Sequence, residues 1–149
     1  MPSVVVDDHL LRDILTGERQ QDLGGIARDG VATTGLWLFR LCSSLTDEAV
    51  AGRLSAPVAG LPANVQARFR AQLAALPDDI EVLSLRELSW SMAELQHRHR
   101  NEGRGMSAAM VEALAAAHWL DAGIAVSKHD VGPNLRSAAQ ADGIPFHAL

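Results

Sequence analysis

The chain has 149 residues, 48% of them hydrophobic and only 4% aromatic, with no tyrosine. That length suits one domain with a sizeable core built mainly from Leu, Val and Ala. The net charge of −5 at pH 7 argues against a broad basic face for duplex DNA, though not against an enzyme that holds phosphates through a metal.

In chain order, residues 3–7 (SVVVD) read as a short buried strand ending in an acid. HLLRDIL follows with Leu10, Leu11, Ile14 and Leu15 at helical spacing, and Gly17 is a natural stop. Residues 18–30 are polar and hold Gly24, Gly25 and Gly30, which predicts a weak helix or a loop. GVATT, 30–34, is a second strand. It runs into the helix LWLFRLCSSL, with Leu38, Leu41 and Leu45 on one side. Thr46 or Asp47 is placed to cap a short helix through Leu54, and SAPVAGLPA forms a turn-rich connection. NVQARFRAQLAAL is amphipathic, with Val65, Phe69, Leu73 and Leu76 inward, and Pro77 ends it.

IEVL, 80–83, is a third strand. Ser84 and Glu87 have capping-box spacing and open a helix to about His99 on a stripe of Leu88, Met92 and Leu95. RHRNEGRGM then reads as a loop carrying three arginines, and Ser107 caps the next helix. Gly123 is the expected stop of that helix, and IAVS is the next strand. Pro133 opens PNLRSAAQA at a first helical position, and IPFHAL is the last strand. Strands alternating with helices, without a hairpin signal, predict an α/β three-layer sandwich around a mainly parallel sheet. No repeat, low-complexity tract or linker divides the chain, so residues 1–149 read as a single domain.

The helix within the stretch 106–130, between Ser107 and Gly123, is apolar almost all round, yet it carries Glu112 among Ala108, Ala109, Ala115, Ala116 and Trp119. A carboxylate leaving water needs a metal ion, a cation or a wet cleft, unless it lies at the edge and snorkels out. Ligands of open parallel sheets bind beyond the carboxyl ends of the strands. Asp7 and Asp8 close the first strand there, and Asp130 lies just past IAVS. Converging carboxylates are relieved by a bridging cation, and Mg²⁺ or Mn²⁺ would take them as oxygen ligands and activate water against a phosphodiester. The competing reading makes Asp7 or Asp8 the cap of the first helix and Asp130 the cap of the last.

VVVDDHLL, VEALAAAHWLDAGIAVSKHD and DGIPFHAL occur in an order and at spacings that resemble the PIN-domain family, which includes VapC-type ribonuclease toxins. The resemblance implies a metal-dependent endoribonuclease hydrolysing RNA. Asp7, Glu112 and Asp130 would be its catalytic and metal-binding acids, with Asp8 a fourth or outer carboxylate. In the toxin setting it also implies an antitoxin partner and a homodimer. Arg40 stands where the family carries a glutamate, and an arginine cannot ligate a metal; it is a candidate to bind phosphate or to pair with Asp7, and His9 and His129 beside the acids are candidates for phosphate. The alternative is an inactive PIN-like module binding RNA or a protein.

VVVDDHLLRDIL also resembles the start of a response-regulator receiver domain, but AVAGRLSAP holds no phosphoacceptor aspartate near residue 52. His97 and His99 point about 200° apart on their helix and are expected to be solvated, while His118 is expected to be a hydrogen-bonded core residue. Cys42, the only cysteine, excludes an internal disulfide and a cysteine-rich zinc site, and is expected to be a small buried apolar residue. With no signal-peptide pattern at the N-terminus and no stretch of roughly 20 apolar residues, the expected setting is the cytoplasm, with no membrane partner.

Overall fold

A computed structural model describes residues 2–19, 23–26, 29–47, 52–129 and 131–149. Five strands, β1 (Val4–Val6), β2 (Val31–Thr33), β3 (Ile80–Val82), β4 (Gly123–Val126) and β5 (Phe146–Ala148), form one sheet in the order β3-β2-β1-β4-β5. Every pairing is parallel. Among the described residues seven helices connect the strands: α1 (Asp8–Thr16), α2 (Gly35–Thr46), α3 (Ala56–Ala59), α4 (Ala63–Ala74), α5 (Leu85–Asn101), α6 (Ala108–Leu120) and α7 (Pro133–Ala141). The expected α/β three-layer sandwich is the fold observed.

Alternation along the strands divides the core in two. Val4, Val6, Val31 and Ala125 pack with Leu10, Leu11, Leu41 and Phe69 on one face. Val5, Ala32, Ile124 and Val126 pack with Leu88, Leu95, Leu114, Leu135 and Ala138 on the other. Because successive strand side chains point to opposite faces, a three-residue β1 supplies both cores, and all three valines are fully buried. Both faces of a parallel sheet need such cover.

Several boundaries differ from those read in the sequence. Asp121, not Gly123, ends α6: it takes the left-handed conformation (φ 51°) and its N–H returns to the carbonyls of Ala117 and His118. A short polar side chain visits that region more readily than most. Gly123 instead begins β4, where a Cβ would stand 3.2 Å from the Pro145 carbonyl oxygen. Helix α5 continues through Arg98 and Arg100 to Asn101, so of the three arginines given to a loop only Arg104 lies in one. The turn-rich connection holds the one-turn helix α3. Thr46 closes α2 and Asp47 is its C-cap, so neither starts a new helix; residues 48–51 lie outside the described residues. Among the described residues no helix is long and apolar enough to cross a membrane.

Candidate functional site

The carboxyl edge of the sheet carries the first acids, and the backbone explains their orientation. Asp7 follows β1 directly and is the N-cap of α1: Oδ1 accepts the Leu10 N–H at 2.9 Å, and Oδ2 accepts the Ser127 N–H just beyond β4, also at 2.9 Å. One carboxylate thus caps a helix and ties the ends of two neighbouring strands together. It is 2% exposed. Asp8 is fully buried; Oδ1 accepts the His9 N–H at 3.0 Å and Oδ2 lies 3.3 Å from the Nε of Arg40. The Arg40 side chain is half exposed, so its guanidinium reaches inward from solvent to the Asp8 carboxylate.

Glu112 is 1% exposed and does not snorkel out. Its Oε1 accepts the Leu36 N–H at 3.3 Å at the amino end of α2, where Thr34 is the N-cap. Gly35 leaves room for this approach, since a Cβ there would stand 3.3 Å from the same oxygen. The first turn of a helix presents unpaired N–H groups and a partial positive charge, and Glu112 supplies the matching acceptor from another helix. Oε2 is buried without a hydrogen-bond partner among the described residues. Burial pushes the Glu112 carboxyl above its ordinary value, and the Leu36 and Gly35 N–H groups pull the other way. Trp119, read as sharing the Glu112 face, is instead 57% exposed near the end of α6.

Asp130 lies outside the described residues. The N-cap of α7 is Gly132, which offers no side-chain cap. Among the described residues no three His, Cys, Asp or Glu side chains are grouped to hold a metal ion. Of the described acids, Asp7 uses both oxygens on backbone N–H groups and Asp8 faces a guanidinium, while Glu112 keeps Oε2 without a hydrogen-bond partner among the described residues.

The cations at this edge converge. A cleft of about 730 Å³ is lined by Arg12, Arg19, Arg40, Arg53 and Lys128, with His9 and His129 among the remaining lining residues. Those are five of the 13 Lys and Arg residues in the chain. Among the described residues Asp13 is the one acidic side chain that lines the cleft with them, and it is paired with Arg12 at 2.8 Å, while Asp8 backs Arg40 from outside the lining. Arg40 also lines a pocket of about 140 Å³ with Asp7, Trp37, Met110 and Leu135, so it stands between the acids and the larger cleft. No family model and no curated protein matches the chain. Such a cleft can hold a polyanion, because closely spaced cations focus positive potential even on an acidic protein.

Reading the sequence singled out Arg40, His9 and His129 at this edge and missed Arg12, Arg19, Arg53 and Lys128. The available signal was weak: Arg12 lies inside α1, and Arg19, Arg53 and Lys128 are marked only by lying within two residues of Gly17, Gly52 and the end of β4.

A second polar cluster lies away from this cleft. Asp142, the C-cap of α7, has a side chain only 1% exposed. It accepts two bonds from Arg98, at 2.9 and 3.0 Å. Its Oδ2 also lies 3.1 Å from His99 Nε2 and 2.8 Å from His118 Nε2. A carboxylate only accepts, so both rings carry a proton on Nε2. Arg104 donates to His99 Nδ1 at 2.9 Å and also pairs with Glu102. His99, expected in solvent, is fully buried, because Asp142 and Arg104 satisfy both ring nitrogens. His118, expected in the core, is hydrogen-bonded but its side chain is 38% exposed. Cys42 is only partly buried, and that burial raises its thiol pKa.

Proposed function

We propose that this chain is a PIN-like module that binds single-stranded RNA through its phosphates, in the basic cleft at the carboxyl edge of the sheet, without cutting it. The observation that carries the reading is the gathering of Arg12, Arg19, Arg40, Arg53 and Lys128 around one cleft of a chain with net charge −5. Four of these cations reach solvent, and the Arg40 guanidinium lies against Asp8, where a nuclease would need an acid directed at a metal. Phosphate contacts of this kind release counterions and supply affinity without sequence readout. The choice of RNA over other polyanions comes from the resemblance of VVVDDHLL and VEALAAAHWLDAGIAVSKHD to PIN domains.

A second reading is a Mg²⁺- or Mn²⁺-dependent ribonuclease of the VapC type, with the homodimer and antitoxin peptide that setting implies. One observation favours it: Glu112 Oε2 is buried with no hydrogen-bond partner among the described residues, and a buried oxygen of that kind calls for a proton or a cation.

Anisotropy of a labelled single-stranded RNA, titrated from 50 to 200 mM salt, tests the first reading. Binding should weaken steeply with salt, with a log–log slope of about −0.7 per phosphate contacted. Arg40→Gln and Lys128→Gln should each flatten it by about that amount. Absent or salt-independent binding refutes it. Incubating the same RNA with Mg²⁺ or Mn²⁺ separates the two readings. Intact RNA agrees with a binding module; cleavage that Asp7→Asn abolishes establishes the nuclease.

A further inference from the structure

Of the five cations around the cleft, only Arg12 is buried, with its side chain 11% exposed. Its guanidinium is already committed. Nε and Nη2 meet Asp13 Oδ1 at 2.9 and 2.8 Å. Nη1 donates to the carbonyl oxygens of Arg53 and Leu54 at 3.3 and 3.1 Å, and lies 3.4 Å from His9 Nδ1. A guanidinium has five N–H donors in a fixed fork, so little is left for a ligand. The side chain instead joins α1 to the segment that leads into α3.

Among the described residues the other hydrogen bonds of residues 52–57 stay close to home. The Gly52 N–H meets Ser55 Oγ at 3.3 Å and the Ala56 N–H meets the Gly52 carbonyl at 2.9 Å. Both bonds are local and neither reaches α1. Leu54, partly buried, packs against the core on the α1 side of the sheet, and Val58, 2% exposed, anchors the far end; Arg12 adds the polar grip nearest Arg53. Arg53, which borders the cleft, is exposed. Its backbone is gripped by a residue 41 positions earlier in the chain.

We propose that Arg12 is a positioning residue of the cleft: it does not bind phosphate, but holds the 52–57 segment against α1 so that Arg53 can. This rests on the reading of the cleft as a phosphate site. The fork geometry matters more than the charge, because one ammonium cannot serve a carboxylate and two carbonyls in the directions a planar guanidinium does.

The test pairs Arg12→Lys, which keeps the charge, with Arg53→Gln, on the full chain with a labelled single-stranded RNA. Each single variant should weaken binding by about tenfold, the scale of one charge-assisted contact. The double variant should bind no more weakly than Arg53→Gln alone, the signature of two residues acting through one contact. If the two losses multiply, Arg12 acts independently and the proposal falls.

Amide hydrogen exchange gives an arm that needs no RNA. Arg12→Lys should speed exchange in residues 52–57 and leave β1 and β4 protected. Unchanged exchange in 52–57 overturns the proposal, whether or not RNA binds. Wild-type protein that ignores RNA while Arg12→Lys loosens 52–57 refutes the phosphate reading and leaves the clamp standing. Should Arg12→Lys not fold, Asp13→Asn keeps the carbonyl bonds, and affinity should then stay within about twofold of wild type. A loss as large as that of Arg53→Gln would show that the carbonyl bonds are not the working contact.

Discussion

Replacing Asp142 by Asn should lower stability by an amount that depends on pH. Burial alone would raise the Asp142 carboxyl, but hydrogen bonds from His118, Arg98 and His99 outweigh it and hold the group down from 3.8 to about 2. A carboxyl depressed in the folded state stabilises the fold above its unfolded value, and the contribution is lost as pH falls toward the folded value. Near neutrality the shift corresponds to about 2 kcal/mol at 1.36 kcal/mol per unit. In a chain of this length that is a melting-temperature loss of about 4–8 °C. Urea unfolding followed by tryptophan fluorescence, run on both proteins at pH 6 and pH 3, measures the gap. It should be about 2 kcal/mol at pH 6 and about half that at pH 3. Groups far from Asp142 titrate alike in both proteins and cancel. An equal gap at the two pH values, or none at pH 6, would refute the reasoning.

Glu112 should show the opposite sign. Its folded carboxyl is raised by burial against the opposing pull of the Leu36 and Gly35 N–H groups. Its contribution is therefore fully present below the ordinary glutamate value and is lost as pH rises through the folded one. Glu112→Gln should gain on wild type between pH 4 and pH 8 in the same unfolding assay, and a gap that does not change with pH contradicts this. Asp7→Ala removes the acceptor for both Leu10 and Ser127 and should cost about 1–3 kcal/mol. Asp7→Asn, which keeps one acceptor, should cost less, and thermal melts that do not separate the two variants count against the capping role. Phe69, fully buried, should cost about 3–5 kcal/mol on truncation to Ala, read as a fall in the urea midpoint at unchanged slope. A smaller loss would mean that the core beneath α4 collapses onto the space.

The elements most legible in the sequence were those fixed by local chemistry. Ser84 and Glu87 form the expected capping box, Ser107 caps α6, and Gly17 ends α1 in the left-handed conformation. Val4–Val6 and Val31–Thr33 could be read because a buried parallel strand needs an unbroken run of branched or small residues. The long-range polar chemistry could not be read. Asp142 sits in an ordinary helix-ending sequence, and its partners Arg98, His99 and His118 lie 44, 43 and 24 positions away. Nothing in the helical spacing of His99 announces an arginine from the following loop. At the candidate site the unusual character of Glu112 was visible as a charge among alanines, but what it meets was not. Its acceptor role depends on α2 beginning at Gly35, which only the fold brings beside it.

The position of β1 bears on how this molecule comes to exist. This strand lies in the middle of the sheet, between β2 and β4, and its β4 partner is roughly 120 residues further along the chain. During synthesis β2 can pair with one edge of Val4–Val6 early, but the other edge stays open until the residues of β4 have been made. Pairings so remote in sequence close slowly and leave collapsed intermediates open to aggregation. A cell making this protein therefore carries a short valine-rich segment that is hazardous before it is central, and holding chaperones have their opportunity in that interval.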